Sequence, residues 1–193
     1  MKLVTYQKKE AYEKLINTGS LKITKNERNL ILPYNFKNDQ IKDAYDFIVE
    51  NMKNIKGRDD DIIYPIWAWY RFEGEKLSPK YNDINYNGKY KITIEVDKSR
   101  VLLSDFDKFA SILNNPYLAK HRINEWYYNK HYKKYNDEDL KKTWNFIFKT
   151  FHLFNGYSYF SFKKRSIQAT LWKINKEDII DVKFIENEDL KNA

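Results

Sequence analysis

The chain has 193 residues, 32% of them charged, a net charge of +8 and no cysteine. At that length a chain buries roughly 70% of its unfolded surface, enough for one domain with neither metal nor cross-link. Disulfides and thiolate metal centres are excluded, no run of about 18 apolar residues offers a membrane span, and "MKLVTYQKKEAYEKL" lacks a leader's apolar centre, so a soluble, cytoplasmic protein is expected.

In chain order, Leu3–Tyr6 is short and apolar and predicts an opening strand. "KKEAYEKLINTG" places Ala11, Tyr12, Leu15 and Ile16 on one helical stripe, with Gly19 set to end it. A longer helix is predicted from Asp39 to Ile55, packed through Ile41, Tyr45, Ile48 and Met52, capped by Asp39 and closed by Gly57. Residues 62–72 are β-branched and aromatic and predict a strand, with Pro65 near its start because proline donates no ladder hydrogen bond. A loop with Pro79 and the Asn87–Gly88 pair leads into "KYKITIEV", whose alternation predicts a half-exposed strand, and "RVLLS" predicts another.

Ser104 and Asp107 have capping-box spacing and predict a helix through Leu113. Asp137–Phe154 predicts a further helix, aligned through Leu140, Trp144, Ile147, Phe148 and Phe151. "SIQATLWKI" and "DIIDVKFI" return the chain to strands before the acidic tail "ENEDLKN". The whole predicts one α+β domain over residues 1–193, with a mixed or antiparallel sheet and a helical segment at about 105–154.

Three stretches invite chemistry. In "YPIWAWYRFEG", strand geometry sends Trp67, Trp69 and Arg71 to one face and Ile66, Ala68 and Tyr70 to the other. Either this is a central strand buried on both sides, or a tryptophan lines a cleft that stacks a planar ring, with Arg71 at its mouth. Trp67 and Trp69 lie about 6.5–7 Å apart along the strand, so one is expected to be sealed in the core and the other to line a cleft near Gln168. The Arg58–Asp61 run "RDDD" reads as a loop whose carboxylates do not converge, and His121, His131 and His152 lack zinc spacing, so no metal site is assigned. "EWYYNKHYKKY" mixes five aromatics with Lys130, Lys133 and Lys134; it reads either as a grip on a single strand or phosphate, or as a partly exposed linker. Lysines outnumber arginines 29 to 6, so the charge reads as a generic basic surface, with nucleic acid kept as an alternative partner. P-loop, G-x-S-x-G and G-x-G-x-x-G motifs are absent.

Taken together, "LVTYQ", "YPIWAWY", "VLLSDFDKF" and "IQATLWKI" resemble an uncharacterised family of small bacterial and phage proteins, catalogued as domain of unknown function 3841. The order of elements is also similar to small ADP-ribosyltransferase-like proteins, which have a split sheet, an aromatic middle strand and a catalytic Glu on a late strand. That resemblance implies a cleft for a nucleotide-like ligand, NAD among them. Thr5 and Gln7 would hold polar groups of the ligand, Trp67 or Trp69 would stack its ring, and Gln168 would contact a ribose.

In that pattern the first strand carries His or Arg where this chain has Thr5–Gln7, and the late Glu falls nearest Gln168. A glutamine hydrogen-bonds a hydroxyl but neither accepts a proton nor carries negative charge. Two functions therefore stand: transfer of ADP-ribose from NAD to a nucleic acid or protein in phage–host conflict, or a non-enzymatic phage or mobile-element protein that blocks a host defence complex.

Overall fold

A computed structural model describes residues 1–26, 39–73, 86–114, 117–118, 122–131, 136–150 and 165–186. Eight strands and five α-helices are formed among the described residues. In chain order they are β1 (Lys2–Lys8), α1 (Lys9–Thr18), β2 (Ser20–Lys22), α2 (Asp39–Asn51), β3 (Ile66–Arg71), β4 (Lys89–Glu95), β5 (Leu102–Asp105), α3 (Phe106–Asn114), α4 (Arg122–His131), α5 (Asp137–Trp144), β6 (Ile167–Leu171), β7 (Lys173–Asn175) and β8 (Ile179–Phe184). The chain is α+β, and its main sheet is wholly antiparallel, in the order β5-β6-β3-β1-β4-β8. β2 and β7 form a separate pair. Among the described residues no helix is long and apolar enough to cross a membrane.

Both faces of the sheet are covered, as the apolar alternation on both sides of β3 requires. On one face Tyr12 of α1 stacks on Tyr90 at 4.1 Å, beside Ile92 and Ile94, which are fully buried. On the other, Trp67 meets Phe109 of α3 at 4.6 Å and Tyr45 of α2 at 5.8 Å. Gly19 ends α1 with φ 81°, a left-handed conformation natural to glycine, and its N–H reaches the Leu15 carbonyl at 3.1 Å.

α2 buries Tyr45 and Ile48, with Met52 just beyond its end, but the α-helix stops at Asn51 rather than Ile55. From there the chain tightens into i→i+3 turns, Ile55 N–H to the Met52 carbonyl at 3.0 Å. The backbone is claimed elsewhere at this point: the Ile55 carbonyl accepts the Trp172 indole N–H at 3.1 Å, and Lys56 N–H goes to Ser99. The 62–72 strand is shorter than expected, Ile66–Arg71, with Pro65 directly before it and Tyr64 in an isolated bridge to Ile23. "SIQATLWKI" is two strands, because the chain changes sheets at Trp172, whose ring is 1% exposed.

Ser104 does not cap α3. It lies within β5, and the Asp105 carboxylate accepts the Lys108 N–H at 3.1 Å instead. α5 ends at Trp144, and residues 145–148 wind into a 3-10 turn. There the carbonyls of Phe146 and Lys149 turn toward the buried Lys108 ammonium, at 3.3 and 3.0 Å. Phe151–Phe154, Pro79 and most of the acidic tail lie outside the described residues.

Candidate functional site

The register across β1, β3, β6 and β5 builds the site. β1 and β3 share a single paired position, Val4 with Trp69. Beyond it a side chain makes the link: Thr5 Oγ1 donates to the Trp67 carbonyl at 2.9 Å and accepts from Gln7 Nε2 at 2.7 Å. On the far side of β3, Trp69 pairs with Gln168 of β6, and Gln168 with Ser104 of β5. Residues directly opposite share a face, so Trp67, Trp69, Gln168 and Ser104 lie on one side of the sheet. The helices α2 and α3 stand off that side and leave a cavity of about 380 Å³.

Thr5, Gln7, Trp67, Trp69 and Gln168 all line this cavity. Arg71 does not. The β3–β6 register shifts between Trp69 and Arg71, and the extra residue brings Arg71 opposite Ile167, on the other face from the tryptophans. Its guanidinium lies 5.4 Å from the Tyr70 ring. Neither Trp67 nor Trp69 is sealed in the core: both are half-buried and both border the cavity, Trp67 against Tyr45 and Phe109, Trp69 against Phe72 and Phe106. The sealed tryptophans are Trp144 and Trp172.

Thr5 and Gln7 are buried and hydrogen-bond to each other, so the Thr5 proton and the Gln7 amide N–H are already engaged within the fold. Gln168 and Trp67 are different. Among the described residues, the buried Gln168 Oε1 acceptor and the buried Trp67 Nε1 donor each find no hydrogen-bond partner, and neither does Ser104 Oγ, directly opposite Gln168. An orphaned buried polar atom costs about 1–3 kcal/mol, and here an acceptor and a donor border one largely aromatic hollow.

The remaining wall was not legible as a site in the sequence. Tyr45 reads as an ordinary stripe residue of α2, and Phe106 and Phe109 follow the i, i+3 spacing of α3 that any core helix shows. At the mouth, Tyr6 and Tyr86 stack at 3.9 Å, and Lys8 and Lys89 supply the charge. The lining drawn from the described residues contains no carboxylate and no imidazole. Behind α3, burial holds the Lys108 ammonium below its ordinary pKa and, with Asp105 adding to it, holds the Asp107 carboxyl above its own.

The other stretches resolve plainly. Asp59 is bridged by Lys173 at 2.8 Å and Lys22 at 3.3 Å, and Asp61 by Lys22 at 2.8 Å, so two of the three "RDDD" carboxylates serve ion pairs. Arg58 lies over the Trp172 ring at 4.5 Å. "EWYYNKH" belongs to α4, where Trp126 is 60% exposed with Lys130 over its ring at 5.1 Å; Lys133, Lys134, His121 and His152 lie outside the described residues.

No curated protein and no solved structure matches the chain. A family model does, over residues 2–180, and on that match the chain belongs to the family described as domain of unknown function (DUF3841).

Proposed function

We propose that the cavity binds a nucleotide-like ligand, one with a planar ring and an anionic tail. The observation that carries this reading is the pair of orphaned groups, Trp67 Nε1 and Gln168 Oε1, beside a hollow walled by aromatic rings. A nucleobase edge offers an acceptor and a donor together, answering both, while the rings stack on its faces. Lys8 and Lys89 at the mouth suit a phosphate. The volume falls within the ~300–1,000 Å³ usual for small-molecule sites.

Within the same proposal the fold is an ADP-ribosyltransferase-like split sheet. The β1–β3 ladder, which opens after one paired position beside the cavity, supports that assignment. NAD and ADP-ribose are then natural ligands. With glutamine at position 168 and no acid or imidazole among the described lining residues, the cavity supports binding and orientation more directly than proton transfer.

Calorimetric titration of ADP-ribose into wild type, Trp67→Phe and Gln168→Ala tests the reading. Trp67→Phe keeps an aromatic ring but deletes the donor together with the fused five-membered ring, and should weaken binding by at least about 0.5–1.5 kcal/mol. Wild-type binding unaffected by either substitution would place the ligand elsewhere.

A further inference from the structure

β8 is an edge strand of the described sheet. Four of its six residues are exposed, Ile180 at 47% and Phe184 at 38% among them. Just past its end, the Ile185 N–H donates to the Lys89 carbonyl at 2.9 Å. Hydrogen bonding alternates along an antiparallel ladder, so Asp181 and Lys183 turn their backbone groups toward β4, while Val182 and Phe184 turn theirs outward. An edge with outward backbone groups and exposed β-branched and aromatic side chains is a template for a further strand.

The sequence of this edge selects the strand that fits it. Read about Val182, "IDVKF" is self-complementary: apolar at both ends, an acid one step before the centre and a base one step after. An antiparallel copy with Val182 against the partner's Val182 sets Asp181 opposite the partner's Lys183, and Lys183 opposite the partner's Asp181. Ile180 then lies level with the partner's Phe184. Side chains directly opposite have Cβ atoms about 4.5–5.5 Å apart, closer than the roughly 6.5–7 Å between Asp181 and Lys183 along one strand. The smallest slip that keeps the outward backbone groups paired is two residues. In one direction it sets Asp181 against the partner's Asp181, and in the other Lys183 against the partner's Lys183, so the charges fix the register.

We propose that β8 pairs antiparallel with β8 of a second copy of this chain, about a two-fold axis through Val182, joining the two sheets into one. The contact uses the β8 edge of both copies, so the assembly closes at two. The register shift that leaves Ile180 as an extra residue bends the strand there and confines the ladder to the residues that follow it. A ladder this short supports a concentration-dependent dimer rather than a permanent one. The inference goes beyond the cavity reading and stands apart from it, since no residue of β8 lines the cavity.

Sedimentation equilibrium at physiological salt tests the pairing on wild type, Asp181→Lys, Lys183→Asp, the variant with both changes, and an equimolar mixture of the two single variants. Both positions are exposed, so each variant should keep the circular dichroism spectrum of wild type. Wild type should show a monomer–dimer equilibrium. Each single reversal sets like charges opposite one another twice per dimer and should weaken association on the order of tenfold. The double variant restores both pairs with the signs exchanged and should return to within about threefold of wild type. The mixture should associate more tightly than either single variant alone, because each chain then meets opposite charges on its partner. A wild type that stays monomeric at every attainable concentration, single reversals that leave the dimer unchanged, or a double variant no tighter than the singles would each overturn the proposal. The first of these would leave the edge to a strand of another protein.

Discussion

Gln168→Met tests whether an unfilled binding group is held in the fold at a cost in stability. Gln168 sits between Trp69 and Ser104 in the sheet, and its Oε1 has under 1 Å² of exposed surface and no hydrogen-bond partner among the described residues. Methionine keeps the length and most of the volume of the side chain and removes the acceptor. Deleting an orphaned buried polar group returns about 1–3 kcal/mol. For a domain of this size 1 kcal/mol moves the melting temperature by about 2–4 °C, so the variant should melt roughly 2–12 °C higher than the ligand-free wild type. Urea unfolding should show a raised midpoint with an unchanged slope, the signature of stability gained without a change in the surface exposed. The same variant should bind ADP-ribose more weakly, because the acceptor proposed to answer a base edge is gone. A variant as stable as wild type, or less so, would mean that Gln168 is satisfied in the folded protein and that the cavity carries no unmet demand at that position.

Elsewhere the expected effects are structural. Ile48→Ala empties a fully buried position of α2 and should cost about 2–5 kcal/mol in urea unfolding; a loss under about 1 kcal/mol would mean the stripe is not core. Trp172→Ala removes a sealed ring and its hydrogen bond to Ile55, and should cost about 3–5 kcal/mol without altering ADP-ribose affinity. The hydrogen bond from Lys173, joined by that from Lys22, holds the Asp59 carboxyl below its ordinary pKa. Because the folded pKa lies below the unfolded one, this contribution is complete above about pH 5 and is lost as pH falls through the depressed value. Asp59→Asn should therefore flatten the acid limb of the stability–pH curve; an unaltered limb would show that the pairs contribute nothing measurable.

Much of the fold was legible because its signals are local. Gly19, the stripe of α2 and the alternation in "KYKITIEV" each follow from periodicity and backbone preference, and each element forms near its expected bounds. What escaped depends on distant partners. The ends of α2 and α5 are set where Trp172, Ser99 and Lys108 take up backbone groups far away in the sequence. Arg71 was misplaced because one bulge reverses the faces of every later residue, and a bulge leaves no mark in the apolar pattern.

The site shows the same division. The aromatic density of "YPIWAWY" and the late Gln168 pointed to residues that share one cavity, yet the expected division of labour between Trp67 and Trp69 does not occur. Their spacing along β3 speaks to depth only beneath a flat helix layer, and here Tyr45, Phe106 and Phe109 leave both rings at an opening.

The most direct test of the cavity as a nucleotide-like site is thermal unfolding with and without ADP-ribose, read on wild type beside Trp67→Phe. At about 100 times its dissociation constant a ligand stabilises the folded state by roughly 2.7 kcal/mol, which here corresponds to a rise of about 5–11 °C. The account predicts that rise for wild type and a smaller one for Trp67→Phe at the same concentration. A melting temperature that stays fixed for wild type with ADP-ribose, NAD and dTMP alike, up to millimolar concentration, would contradict it and leave the aromatic hollow as packing alone.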